Sequence, residues 1–308
     1  MYKKNPYLSG MKRILTISLL LLAYFSVGAK TTHRFAQRDT CDLYLDIHAP
    51  AVDTAGAPTV LFVFGGGFIT GTRDDKFYDP WFKKLNDNGF RVVSIDYRLG
   101  LKGQRMRFDL FHLLESARKT KAAVDMGVED VFDAVRYLGA HAGELGIDMD
   151  RIILAGSSAG AMIVLSAEWE VTKGAGPEGF RPAGVMSFAG AVMSDSGVPA
   201  YPEEPCPQLL IHGTDDGAVA YDKMAFGRWG MYGSNQLAKI LDKRGAPYCI
   251  YRFKDHSHDM AANFIATWPE QERFLRENVL GGVRRSVDAL VDDPAVPAWQ
   301  SVTLDDIY

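Results

Sequence analysis

The residue with the greatest chemical potential in this chain is a serine set between small neighbours. Gly156-Ser157-Ser158-Ala159-Gly160 fits Gly-x-Ser-x-Gly, directly after the apolar run Arg151-Ile-Ile-Leu-Ala and directly before a helical pattern at 158–169. Small residues at both ends permit a sharp strand-to-helix turn that lifts Ser158 Oγ at the carboxyl end of a sheet. The helix that starts there aims backbone N–H groups at developing negative charge. A serine hydroxyl is a weak nucleophile until a base takes its proton, and a carboxylate orients that base. Asp215 and Asp216 follow the apolar run 208–212, and His256 and His258 follow the run 248–253. Either member of each pair is a candidate from position alone, whereas His33, His48, His112, His141 and His212 are poorly placed for a base. Gly65, Gly66 and Gly67 follow the run 59–64, where absent Cβ atoms let backbone approach a substrate closely. No Gly-Lys-Ser/Thr follows them, so a phosphate loop is not indicated.

These residues need elements to hold them. Apolar runs at 59–64, 91–97, 151–155, 183–188, 208–212 and 248–253 barely alternate, as strands buried on both faces do, and 41–48 alternates like an edge strand. Helix-period stretches lie between them at 78–88, 128–145, 158–169, 235–244 and 261–279. Gly245 is a natural stop for the fourth. Strand–helix alternation with right-handed crossovers predicts an α/β class: a doubly wound, mostly parallel sheet flanked by helices. Two connections, 99–126 and 220–234, exceed the minimum and are candidates for a pocket mouth. Neither is long enough for a large separate cap domain. The aromatics Phe226, Trp229 and Tyr232 in the second suit either a pocket or simple packing.

At 308 residues, 47% hydrophobic and 23% charged, the chain has the length and composition for one large core. Its first 29 residues differ: Lys3, Lys4, Lys12 and Arg13 precede an apolar run at 14–27 and then Gly28-Ala29, the pattern of a secretory signal peptide. The run is shorter than the ~20 residues of a membrane-spanning helix. The expected organisation is therefore a signal peptide at 1–29, a catalytic domain at 30–280 and a mostly irregular C-terminal extension at 281–308. A secreted or periplasmic location follows, with no stable membrane insertion expected after cleavage; an uncleaved membrane anchor is the other reading of this segment. Loss of 1–29 takes the net charge from −4 to −8, a poor balance for nucleic-acid binding. The basic stretch 102–121 reads as a solvated insertion. Cys41, Cys206 and Cys249 are too few for a disulfide framework; Cys206 with Cys249 is the conceivable pair, and buried free thiols are the alternative. No spacing suggests a metal site.

Taken together, Phe64-Gly65-Gly66-Gly67-Phe68, Ile95-Asp96-Tyr97-Arg98-Leu99, the stretch from Gly146-Ile147-Asp148 to Gly160, and His212-Gly213-Thr214-Asp215-Asp216 resemble the α/β-hydrolase superfamily. The likeness is to carboxylesterases and hormone-sensitive-lipase-like esterases, over about residues 41–279. It implies the α/β-hydrolase fold and a triad of Ser158, Asp216 and His258, with Asp215 and His256 as the alternatives. It also implies an oxyanion hole from the N–H groups of Gly66, Gly67 and Ala159. Phe64 stands where such esterases usually carry His. The implied function is serine carboxylic-ester hydrolysis through an acyl-enzyme, without cofactor or metal, on a small-molecule or carbohydrate ester. A serine peptidase or amidase on the same triad, and a non-catalytic hydrolase-fold binding protein, are the other readings.

Overall fold

The computed structural model describes residues 30–50, 56–107, 109 and 111–298. The signal peptide expected at 1–29 lies outside them. Among the described residues no helix is long and apolar enough to cross a membrane.

Nine strands form one sheet: β1 (Thr31–Gln37), β2 (Asp42–His48), β3 (Thr59–Val63), β4 (Arg91–Ile95), β5 (Ile152–Ser157), β6 (Gly184–Phe188), β8 (Gln208–Gly213), β11 (Tyr248–Phe253) and β12 (Val287–Val291). Their spatial order is β1-β2-β4-β3-β5-β6-β8-β11-β12. The pairs β1–β2 and β2–β4 are antiparallel; every later pair is parallel. Every residue of β3, β4, β5, β6 and β8 is buried, which is why their sequences run apolar without alternation. The expected doubly wound, mostly parallel sheet flanked by helices is present, with no separate cap domain among the described residues.

The helices are α1 (Asp79–Asp87), α2 (Leu113–Ala140), the single turn α3 (Ala142–Leu145), α4 (Ala159–Thr172), α5 (Ser234–Arg244) and α6 (Trp268–Arg273). A π-type helix, Phe274–Leu280, prolongs α6. Helices α2 and α4 meet at Gly127, where a Cβ would stand 2.4 Å from Ile163 Cδ1. Helices α1 and α6 meet where Trp81 Nε1 donates to Gln271 Oε1 at 2.7 Å. Gly245 ends α5 in the left-handed region, at φ +71°.

Several elements differ from the sequence expectation. Helix α2 begins at Leu113, not near 128, so the later half of the supposed insertion is helical. Its first turns bury only small residues, Ser116 and Ala123, and are held outside by Lys119–Glu115 and Lys121–Asp125 pairs, so no large apolar stripe marks them. The connection 220–234 is a hairpin of β9 (Lys223–Phe226) and β10 (Trp229–Gly233), and β10 also pairs with β7 (Ala191–Ser194). The helix expected at 261–279 starts only at Trp268, with Pro269 in its first turn. The extension beyond residue 280, read as irregular, supplies β12 at the sheet edge beside β11. Cys41, Cys206 and Cys249 are all free; Cys249 Sγ donates to Asn278 Oδ1 instead of pairing with Cys206.

Candidate active site

Ser158 caps the turn between β5 and α4 at φ +51°, ψ −117°, a region a non-glycine residue enters only under constraint. Two glycines make the turn possible. A Cβ on Gly156 would stand 2.3 Å from the Gly160 carbonyl oxygen, and one on Gly160 would stand 2.1 Å from that of Val63. The Ser158 N–H donates to Phe188 O at 2.9 Å, which ties the turn to β6. Because α4 starts at Ala159, the Ala159 N–H is among the helix's first-turn donors, which lack intrahelical acceptors.

Two further loop tips converge on this serine. Ser158 Oγ lies 2.7 Å from His258 Nε2, 100 residues later in the chain. His258 Nδ1 lies 2.8 Å from Asp216 Oδ2. The loop after β8 carries Asp216 and the loop after β11 carries His258; they are joined by Asp215 N donating to His256 O at 2.9 Å. Asp216 Oδ1 accepts the backbone N–H groups of Ala218 and Val219, both at 2.8 Å. Burial works against a charge on Asp216. Hydrogen bonds from His212 and His258 outweigh it and hold the carboxyl well below the usual carboxylate range. The side chain is therefore ionised across the working range of an enzyme and ready to support an imidazolium.

The alternatives lie elsewhere. Asp215 is exposed and accepts from Thr214 Oγ1 at 3.0 Å, a turn contact. His256 turns its Nδ1 to Asp259 Oδ2 at 2.7 Å, and Asp259 Oδ1 also accepts the Ser257 N–H at 2.8 Å. His256 thus braces the loop that presents His258. Sequence reasoning set His212 aside. In the structure its Nε2 lies 3.0 Å from Asp216 Oδ2 and its Nδ1 2.8 Å from Ser234 Oγ. The His212–Asp216 spacing of four residues was visible; the arrival of Ser234 from α5 was not.

The glycine loop after β3 packs on the elbow. A Cβ on Gly65 would lie 3.0 Å from Ser157 Oγ and 3.3 Å from Ser158 Cβ. Gly66 and Gly67 take φ +115° and +62°. The Gly66 carbonyl accepts the N–H groups of Ile69 and Thr70, closing the turn, while Gly67 lines the cavity together with Ser158 and Ala159. Of the three expected oxyanion donors, Gly67 and Ala159 thus border the cavity above Ser158 and Gly66 closes the adjoining turn. Gly65 N–H donates to the buried Tyr78 hydroxyl at 3.2 Å. Phe64 packs its ring 4.5 Å from that of Tyr97 and fills the space a Cβ on Gly71 would need. The aromatic residue is therefore a core strut beneath the loop.

The cavity above Ser158 has a volume of about 260 Å³. Leu113, Leu114, Ala117 and Thr120 of α2 form one wall, and Met224, Phe226, Trp229 and Met231 of the hairpin form the other. The surface they present is almost wholly apolar.

Comparison with known proteins agrees with this geometry. Residues 25–173 match the carboxylesterase family. A fumonisin B1 esterase from Sphingopyxis macrogoltabida is 32% identical over 120 residues, 39% of this chain and 21% of that protein. Carboxylesterase NlhH from Mycobacterium tuberculosis is 27% identical over 183 residues, 58% of this chain and 49% of that one. The matches thus span half or less of these curated relatives. A propionate-bound esterase, Est2 of Thermogutta terrifontis, superposes with a TM-score of 0.58 at 18% identity, covering 83% of this chain and 96% of that one. Esterase B from Lactobacillus rhamnosis gives 0.57 at 16% identity over 89% and 96%. The sheet order, the strained strand–serine–helix turn and these likenesses show that the chain has the fold of the α/β-hydrolase esterases, and its residues 25–173 match the carboxylesterase family.

Proposed function

We propose that this protein is a serine carboxylic-ester hydrolase that works through an acyl-enzyme on small esters carrying an apolar group. The observation that carries the reading is the unbroken chain from Ser158 Oγ to His258 Nε2 and from His258 Nδ1 to Asp216 Oδ2. His258 takes the Ser158 proton as Oγ attacks the ester carbonyl. Its Nδ1–H stays on Asp216, whose negative charge supports the imidazolium. Charge on the carbonyl oxygen is met by N–H groups of the Gly66–Gly67 turn and of Ala159; loss of one such donor typically costs about 3 kcal/mol of transition-state stabilisation. His258 then protonates the leaving alcohol. Water, activated by the same histidine, releases the acid from Ser158.

The cavity favours an apolar acyl or alcohol group over a sugar, whose hydroxyls would be left without partners on walls of Leu, Met, Phe and Trp. A series of p-nitrophenyl esters from acetate to decanoate tests the reading, run beside matched anilides. Turnover of the esters with a burst of alcohol supports an acyl-enzyme esterase. Faster turnover of the anilides points to an amidase on the same residues. No turnover of either overturns the proposal.

A further inference from the structure

The Ser158–His258–Asp216 chain leaves unused a second histidine on the same carboxylate. His212, the fifth residue of β8, has no exposed surface. Its Nε2 faces two groups that only accept: Asp216 Oδ2 at 3.0 Å and the Val219 carbonyl at 3.3 Å. Nε2 must therefore carry a proton. In the neutral ring Nδ1 is then an acceptor, and the fully buried Ser234 hydroxyl donates to it at 2.8 Å.

This gives Asp216 four donors. Ala218 and Val219 N–H hold Oδ1, and the His258 and His212 rings both donate to Oδ2. A carboxylate has about four lone-pair sites, so this one is filled. The two backbone bonds alone leave Oδ2 free to swing about the Oδ1 side when the His258 ring moves between serine and leaving group. The His212 N–H removes that freedom, and Ser234 fixes the ring that donates it. Burying an imidazole at the end of a central strand costs free energy unless both nitrogens are satisfied, and here both are.

We propose that His212 is a positioning residue for the reaction: its Nε2–H, set by Ser234, holds Asp216 Oδ2 on His258 Nδ1. The inference rests on the esterase reading above. A carboxylate that drifts lets the His258 ring lose its line to Ser158, and misplacement by about 1 Å can cost on the order of 10²-fold in rate.

The test uses full-length protein with His212→Phe, His212→Gln and Ser234→Ala, folding being checked by circular dichroism and thermal melting. Three quantities are read: kcat and KM on a small p-nitrophenyl ester, the rate of Ser158 phosphonylation, and the downfield proton NMR signal of His258 Nδ1–H. In His212→Phe, kcat is expected to fall by about 30- to 100-fold with KM changed by less than about threefold, and the downfield signal to move or broaden. His212→Gln, which keeps an N–H donor, is expected to recover at least about tenfold of the loss. Should His212→Phe not fold, Ser234→Ala carries the test, with a several-fold loss in kcat and the same change in the NMR signal. Native kcat and an unmoved signal in a folded variant overturn the inference. A loss that folded His212→Gln does not reduce also overturns it, because packing alone then explains the position. If the unmodified protein is not phosphonylated at Ser158, the esterase reading itself fails; if it is, and His212→Phe reacts at the same rate, only the positioning role fails.

Discussion

Gly160 lies so close to Val63 that a Cβ at position 160 would stand 2.1 Å from the Val63 carbonyl oxygen. The contact is with strand backbone, which cannot move aside as a flexible side chain can. Helix α4 must therefore drop directly under the end of β3 to present Ser158. Gly160→Ala is expected to destabilise the fold by about 3 kcal/mol or more, a Tm fall of roughly 6 °C or more. Gly143→Ala is the control for added volume alone, since a Cβ there meets nothing within 4 Å and the backbone is not left-handed. Thermal unfolding followed by circular dichroism checks the ranking; equal melting of the two variants would contradict it.

Tyr78 supports the glycine loop from below. Tyr78→Phe removes the acceptor of the buried Gly65 N–H. An unpaired buried donor costs about 1–3 kcal/mol, and the turn that carries Gly66 and Gly67 loses an anchor. Lower stability is expected together with a several-fold lower kcat and a little-changed KM. Denaturant unfolding and ester kinetics on one preparation check both effects.

On the proposed reading, the walls of the cavity select the ester by size. Ala117 projects from α2 into the space above Ser158. Ala117→Phe is expected to lower kcat/KM for hexanoate esters by about tenfold or more, and to leave acetate esters within about threefold. Rates across an acyl series read this directly; equal losses for all chain lengths would show that the longer group lies elsewhere.

Glu168 makes a pH-dependent contribution to stability. Burial pushes its carboxyl from 4.5 up to about 8, against hydrogen bonds from Cys206. Between these values the folded chain holds a proton that the unfolded chain has lost. Its contribution is therefore full below about pH 4.5 and declines as pH rises to about 8. Glu168→Gln keeps an acceptor for the Cys206 N–H, and a turned Gln208 amide can offer its otherwise unpartnered Oε1 to the new amide. The variant is expected to gain stability over the parent steadily from pH 5 to pH 8. Parallel stability curves across that range would contradict the assignment.

What the sequence revealed follows from what each residue touches. The strands β3, β4, β5, β6 and β8 were legible because both faces are buried, which leaves mostly apolar runs without regular polar alternation. The edge strand β1 was not, because most of its residues face solvent and take polar types freely. Strand β12 is also an edge, and Leu290 in it is largely exposed. The first half of α2 was hidden by small buried residues and charged outer turns. At the site, Ser158 was legible from local spacing, because the elbow is a property of five consecutive residues. Choosing Asp216 and His258 from their neighbours depended on family pattern, and the distances now separate each pair: His258 meets Ser158, whereas His256 meets Asp259. The Ser234–His212 contact depends on how α5 packs against β8, which no local pattern encodes.

The most direct test of the central claim is mass spectrometry of the protein treated with a fluorophosphonate, with ester turnover followed in the same samples. One adduct per chain, mapped to Ser158 and formed in step with loss of activity, is the expected result, together with no adduct and a kcat lower by several orders of magnitude in Ser158→Ala. An adduct on another residue that accounts for the loss, or near-native turnover by purified Ser158→Ala, would contradict it.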